Sequence, residues 1–233
     1  MTALGAGAAS STRTVERALG LLAEVCAEDS LSLSECARRV GLPASTALRL
    51  LRTLEASGFV QRGPDATYSA GIRVVQLGAA ALSRQSLVRL SDPGLQRIVA
   101  ATGESAYLAI RGPDDTAVFI AMVEGTHPVR HTSWVGRAVP LGELAVGRAL
   151  RGDVGAGGYA VYRDPDGPDI TGIAAPIEWA GGVAGALNLV GPTYRIDDAI
   201  AASYGETVSA EARTVAAQLG ATDVQAQGRV NRA

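Results

Sequence analysis

The chain contains no lysine. All 21 basic residues are arginine, set against 23 acidic ones for a formal net charge of -2. A balance this close to neutral excludes a protein that coats nucleic acid by overall charge, so any attraction to a polyanion has to be local. Cysteine is almost as scarce. Cys26 and Cys36 lie in predicted helices without CxxC spacing, and both read as small buried apolar residues. His127 and His131 are the only histidines. Their i,i+4 spacing would suit a metal pair on one helix, but Pro128 between them argues against a helix, so no metal site is expected. Aromatic residues make up 4% of the chain. No apolar run approaches the roughly 20 residues of a membrane span. No basic start precedes an apolar stretch, and MTALGAGAAS reads as a flexible tail, so the expected compartment is the cytoplasm and no membrane partner is expected.

What is present is concentrated early. The chain has room for two modest domains. Thr14 can cap a helix running to about Ala27, with Val15, Ala18, Leu19, Leu22, Val25 and Cys26 on one face. Ser32 followed three residues later by Glu35 is a capping box that opens a second helix. Gly41 ends it in a left-handed conformation. Pro43 suits the first turn of a third helix reaching about Ser57. Ala47, Leu50, Leu51 and Leu54 face inward there, which leaves Ala44, Ser45, Thr46, Arg49, Arg52 and Thr53 outward. Short strands on either side of Gly63-Pro64-Asp65 form a hairpin.

Helix, turn, Arg-rich helix and hairpin make a winged helix-turn-helix, whose partner is double-stranded DNA. From Ser32 to Arg62, five arginines stand against two glutamates, the local positive charge that the whole chain lacks. The small residues Pro43, Ala44, Ser45 and Thr46 allow close approach to the major groove. Arg49 and Arg52 are long enough to reach base edges or backbone. Arg38 and Arg39 would lie beside a phosphate strand, and Arg62 would be the wing's backbone contact.

Beyond Gly103 the pattern is that of strands: Glu104 to Ile110, Thr116 to Val123, Val129 to Trp134, Gly158 to Tyr162, Ile170 to Ile177 and Val183 to Val190. Helices are expected over Pro140 to Leu150 and Asp197 to Leu219. This is an α/β sheet covered on one side. Before it, the apolar positions from Ile72 to Leu90 form a linker helix suited to pairing between subunits, and a separate helix runs from Pro93 to Ala101. No nucleophile-base pair accompanies Ser133, Ser203 or Ser209, and no phosphate-cradling loop follows a strand, so no catalytic residue, enzyme activity or cofactor is expected. Polar or aromatic residues in an otherwise apolar sheet are the ligand candidates: His131, Ser133, Trp134, Tyr162, Thr171 and Asn188.

The segments TVERALGLLAEV, LSLSECARRVGLPASTALRLLRTLEASGFVQR and YSAGIRVVQLG resemble the N-terminal domain of the IclR family of bacterial transcriptional regulators. At lower identity, ATGESAYLAI, VGRAVPLGELAVGRAL, GYAVYRDPDG, ITGIAAPI and ALNLVGP resemble its effector-binding domain. The resemblance implies an α+β chain with three parts. A winged helix-turn-helix domain spans residues 12–72, a linker helix 73–91, and a GAF-like α/β effector-binding domain 92–220. It implies dimers or dimers of dimers, and ligand contacts at Ala145, Tyr162, Gly172, Asn188 and Val190. Where many relatives carry an acidic residue, Ser or Cys at such positions, this chain has Tyr, Gly, Asn and Val. A glyoxylate- or pyruvate-like effector is therefore not expected, and Trp134 with Tyr162 suits an aromatic one. Relatives also carry several dozen residues where this chain has only Arg151 to Gly157. The reading is a ligand-responsive regulator, a repressor of a catabolic operon on a palindromic operator. Two alternatives are a winged-helix protein-interaction module and a small-molecule-binding enzyme with a vestigial DNA-binding domain.

Overall fold

The computed structural model describes residues 5–83, 86–131, 133–163, 169–179 and 181–230, with the side chains of 5–11, 83 and 221–230 left out. The chain divides into two compact units, residues 1–84 and 85–233.

The N-terminal unit is built on three helices, α1 (Gly5–Ala27), α2 (Leu33–Arg39) and α3 (Ala44–Ala56). Helix α1 begins well before Thr14, so from Gly5 onward the expected flexible tail is helical instead; its small residues, Ala above all, favour that state. The capping box at the start of α2 is complete: the Ser32 hydroxyl accepts from the Glu35 N–H, and the Glu35 carboxylate accepts from the Ser32 N–H at 2.9 Å. Gly41 follows at φ +62°, where a side chain would be strained. Leu21, Val25, Leu31, Cys36, Ala47, Leu50, Leu51, Val60 and Tyr68 close one core. Cys26, expected inside, is exposed. Strands β1 (Val60–Arg62) and β2 (Tyr68–Ala70) pair antiparallel as the wing. Gly71 is required after them, since a Cβ there would stand 2.3 Å from the Gly58 carbonyl oxygen. Helix α4 (Ile72–Ser83) completes the unit.

The C-terminal unit opens with α5 (Ser86–Thr102), which runs through Pro93. The expected break at Ser91-Pro93 does not occur: the later part of the expected linker helix runs on as α5, and residues 84–85 within that stretch lie outside the described residues. Pro93 removes one backbone hydrogen bond, but Leu87, Leu95, Ile98 and Val99 on the same helix all bury their side chains and outweigh it.

A six-stranded sheet follows in the order β5-β4-β3-β8-β7-β6, every pair antiparallel. The strands are β3 (Ser105–Arg111), β4 (Thr116–Val123), β5 (Ala138–Pro140), β6 (Ala160–Arg163), β7 (Ile170–Trp179) and β8 (Gly182–Pro192). Helix α6 (Ala145–Arg151) precedes β6, and α7 (Asp198–Val230) ends the described chain. Both faces of the sheet are covered, not one. Ala106, Leu108, Ile173, Ala175, Leu187 and Leu189 pack with residues of α5 and α7. Their immediate neighbours Tyr107, Ala109, Ala174, Ala186 and Val190 pack with α6 on the other side. The two-residue alternation of a strand thus feeds two apolar layers. Helices α5 and α7 are joined by Arg97, whose Nε and Nη2 donate to Glu211 at 2.8 and 2.6 Å.

Residues 129–131 and 133–134, within the expected strand Val129 to Trp134, are irregular. Pro128 cannot donate to a ladder, and the stretch is held by side chains instead. Gly136 and Arg137 rejoin the backbone of Phe119, which leads into β5.

Candidate functional sites

Helix α3 presents Ser45, Arg49, Arg52 and Thr53 along a shallow surface groove. Arg38, Arg49, Arg52 and Arg62 are exposed, and none of them has an ion-pair partner among the described residues. Pro43 is the N-cap of α3, Ala44 and Ser45 are exposed beside it, and Thr46 is half-buried. Arg39 departs from this set. Its guanidinium lies 3.3 Å from Glu24 and 2.9 Å from Glu28, both on or just after α1. Arg39 thus ties α2 to α1 through two surface ion pairs.

In the second unit, a cavity of about 150 Å³ lies between α6 and the sheet. Six of the nine expected ligand residues line it: Trp134, Ala145, Tyr162, Gly172, Asn188 and Val190. Phe119, Val139, Leu144, Val146 and Ile170 complete the wall. Three expected residues are elsewhere. Thr171 is buried and hydrogen-bonds Thr193 at 3.1 Å. It is adjacent to Gly172 in β7, and neighbours in a strand cannot share a face. The Ser133 hydroxyl is exposed and accepts from the Val135 N–H at 3.3 Å. His131 stands behind the wall, facing a neighbouring groove with Val129, Asp169 and Tyr194.

His131 nevertheless shapes the cavity. The scarce aromatic residues gather here in a closed ring: Tyr107 on Phe119 at 5.2 Å, Phe119 on Trp134 at 5.8 Å, Trp134 on His131 at 4.3 Å and His131 on Tyr107 at 5.6 Å. The Tyr107 hydroxyl is 2.7 Å from His131 Nδ1. Burial pushes that hydroxyl up to about 12, so it keeps its proton, and the Trp134 backbone donates to it. The tyrosine hydroxyl and Nδ1 share a hydrogen bond whose direction is set by the imidazole tautomer. Burial, and then the charge of Arg137, hold His131 below its ordinary value of 6.5. The sign follows from linkage. A depressed folded value favours the neutral ring, so its contribution to stability is present above about pH 6.5 and is lost as pH falls through the folded value. We expect the second unit to lose stability between pH 7 and 5 more steeply in the wild type than in His131→Gln, read from urea midpoints by tryptophan fluorescence. Parallel profiles would contradict this role.

His127 is apart from His131 and lies 3.8 Å from the Glu104 carboxylate. That carboxylate is 1% exposed and receives Arg195 Nε and Nη2 at 2.9 and 3.0 Å.

An arginine-bearing recognition helix in one unit and a ligand-sized apolar cavity in the other define a ligand-responsive, DNA-binding transcriptional regulator. Residues 14–64 match the IclR helix-turn-helix domain, and residues 79–152 match the C-terminal domain of bacterial IclR transcriptional regulators. The chain belongs to the IclR family. It is 29% identical over 247 residues to the regulator BhcR of Paracoccus denitrificans, covering 90% of this chain and 88% of the relative. That aligned span is longer than this whole chain of 233 residues, so BhcR has residues with no counterpart here. It is also 29% identical over 148 residues to the transcriptional repressor IclR of Escherichia coli K12, covering 62% and 54%. An IclR homologue from Microbacterium hydrocarbonoxydans, solved with 4-hydroxybenzoate, shares the fold at a TM-score of 0.73 and 22% identity, covering 89% and 99%.

Phe119, Val139, Leu144, Val146 and Ile170 are the functional candidates that sequence reasoning missed. Period two carried the signal for one of them. Ile170 is two residues from Gly172 on the same strand, as Asn188 is from Val190. The others are ordinary apolar residues with no distinguishing pattern.

No helix among the described residues is long and apolar enough to cross a membrane.

Proposed function

We propose that this regulator is a cytoplasmic repressor of a catabolic operon and not an enzyme. It binds a palindromic operator as a homodimer or a dimer of dimers. Arg38, Pro43, Ala44, Ser45, Thr46, Arg49, Arg52 and Arg62 meet the DNA, with α3 in the major groove. A small molecule enters the cavity lined by Trp134, Ala145, Tyr162, Gly172, Asn188 and Val190. It shifts the balance between DNA-competent and DNA-incompetent arrangements by its different affinity for the two.

The observation that carries this reading is the cavity. A space of about 150 Å³ walled mainly by aromatic and aliphatic side chains is the size that holds one benzene ring. The repressor named among the relatives supports the sign of regulation, and the 4-hydroxybenzoate in a relative of the same fold supports an aromatic effector.

The DNA face is tested by two substitutions. Arg49→Ala is expected to weaken binding to the specific operator by about 1–3 kcal/mol while leaving non-specific binding unchanged. Arg38→Ala is expected to weaken all DNA binding evenly and to lower the slope of log K against log salt by about 1. Fluorescence anisotropy with operator and shuffled duplexes at two salt concentrations measures both. Unchanged operator affinity in Arg49→Ala, with a native circular dichroism spectrum, removes Arg49 from the base-reading set.

A further inference from the structure

We infer that the effector presents to Asn188 an uncharged group that both donates and accepts hydrogen bonds, a carboxamide or a hydroxyl, in preference to a carboxylate. The inference rests on the proposed role of the cavity as the effector site.

Asn188 is 3% exposed, and what it exposes faces the cavity. Its backbone is paired within the sheet, between Tyr107 on β3 and Ala174 on β7. Its side-chain amide has no hydrogen-bond partner among the described residues. This amide, open to the cavity, carries two donors and an acceptor. Asn188 Oδ1 lies near the path of Gly172, whose added Cβ would stand 3.9 Å from it and 3.8 Å from the Ala145 Cβ. The amide therefore stands at the bottom of the space that a ligand would fill.

A carboxylate supplies only acceptors. It would satisfy the two N–H groups of Asn188 and leave Oδ1 either unpaired or facing negative charge. No arginine and no histidine lines the cavity among the described residues, so a buried anion would have no counter-ion, which is the costly case. The start of α6 also lines the cavity, but this helix has only seven residues. Its first N–H groups receive a neutral carbonyl oxygen as well as an anionic one. A carboxamide satisfies both halves of Asn188 at once, its N–H going to Oδ1 and its oxygen accepting from Nδ2. A hydroxyl does the same with one atom. The polar requirement is met at that single point, and the ring occupies the apolar remainder beside Trp134 and Tyr162.

The test is isothermal titration of the full-length protein with benzamide and benzoate, which have nearly the same shape, and with Asn188→Leu, Asn188→Ala and Gly172→Leu. Gly172 is not in a left-handed conformation, so a leucine there projects into the cavity without backbone strain. The wild type is expected to bind benzamide at least about ten-fold more tightly than benzoate, since one lost buried hydrogen bond accounts for that factor. Both Asn188 variants are expected to narrow the preference, leaving only the part due to the missing counter-ion, and Gly172→Leu to lose binding of either compound. The two variants at position 188 differ in volume, so a packing defect in one does not decide the result. Benzoate binding as tightly as benzamide, or a preference undiminished in both Asn188 variants, overturns the inference while the cavity remains the effector site. Binding by the wild type that Gly172→Leu leaves intact, or no binding of either compound, overturns the cavity as effector site and the inference with it.

Discussion

Arg195→Ala is expected to destabilise the C-terminal unit by about 3–5 kcal/mol, because it strands a buried carboxylate. Glu104 sits between α5 and β3 at 1% exposure, and Arg195 meets both of its oxygens. Arg195 also donates to the Val129 carbonyl at 2.8 Å, so its loss frees the segment that carries His131 and Trp134 as well. His127, at 3.8 Å from the carboxylate, is too distant to replace a bidentate partner. Replacing both members with apolar residues of similar size, Glu104→Leu with Arg195→Met, is expected to recover much of the loss. A buried pair costs most when only one half is removed. Both tryptophans, Trp134 and Trp179, lie in this unit, so urea denaturation followed by tryptophan fluorescence reports on it alone. A midpoint in Arg195→Ala equal to the wild type would show that the pair contributes nothing.

Val75→Glu with Leu82→Glu is expected to break the proposed dimer and with it operator binding. Ile72, Val75, Leu77 and Leu82 are all at least 40% exposed on the twelve-residue helix α4. On α1, Val15 and Leu19 are more than half exposed. Single exposed apolar residues need no explanation, but Ile72, Val75 and Leu82 share one face of this short helix, with Leu77 opposite, and form a stripe that favours a second copy. Glutamates there would meet their symmetry mates across the two-fold axis, burying like charge at a cost of several kcal/mol. Light scattering at low micromolar concentration is expected to show a dimer or tetramer for the wild type and a smaller or aggregated species for the variant. A strictly monomeric wild type with full operator affinity would return α4 to an ordinary surface helix.

The N-terminal unit was largely legible because its signals are local. A capping box, a glycine turn and a proline at a helix start each act within a few residues, and Ser32, Glu35, Gly41 and Pro43 announce them directly. The pairing of Arg39 with Glu24 and Glu28 is not legible, because those partners are distant in sequence and solvent-facing arginines all look alike. In the second unit, the sequence marks Pro93 as a stop, since its local cost is visible and the burial of Leu95 and Ile98 that outweighs it is not. The stretch expected as a strand over 129–134 is set by other forces: Tyr107 and Arg195 hold the segment from outside it, through His131 and the Val129 carbonyl. At the cavity, naming both Thr171 and Gly172 ignored the parity of a strand, and the same parity would have found Ile170. Leu144 and Val146 reach the wall only through the angle at which α6 meets the sheet, which no spacing in the sequence encodes.

The central claim, sequence-specific and ionic recognition of DNA by α3 and the wing, is tested most directly by one titration. Full-length protein is added to a labelled duplex taken from the region upstream of its own gene, and to a shuffled duplex, at 50 and 200 mM salt. Binding to the upstream duplex is predicted to exceed that to the shuffled one by roughly 10³-fold or more, and both are predicted to weaken steeply with salt. Equal affinity for the two duplexes, unchanged between the two salt concentrations, would contradict it.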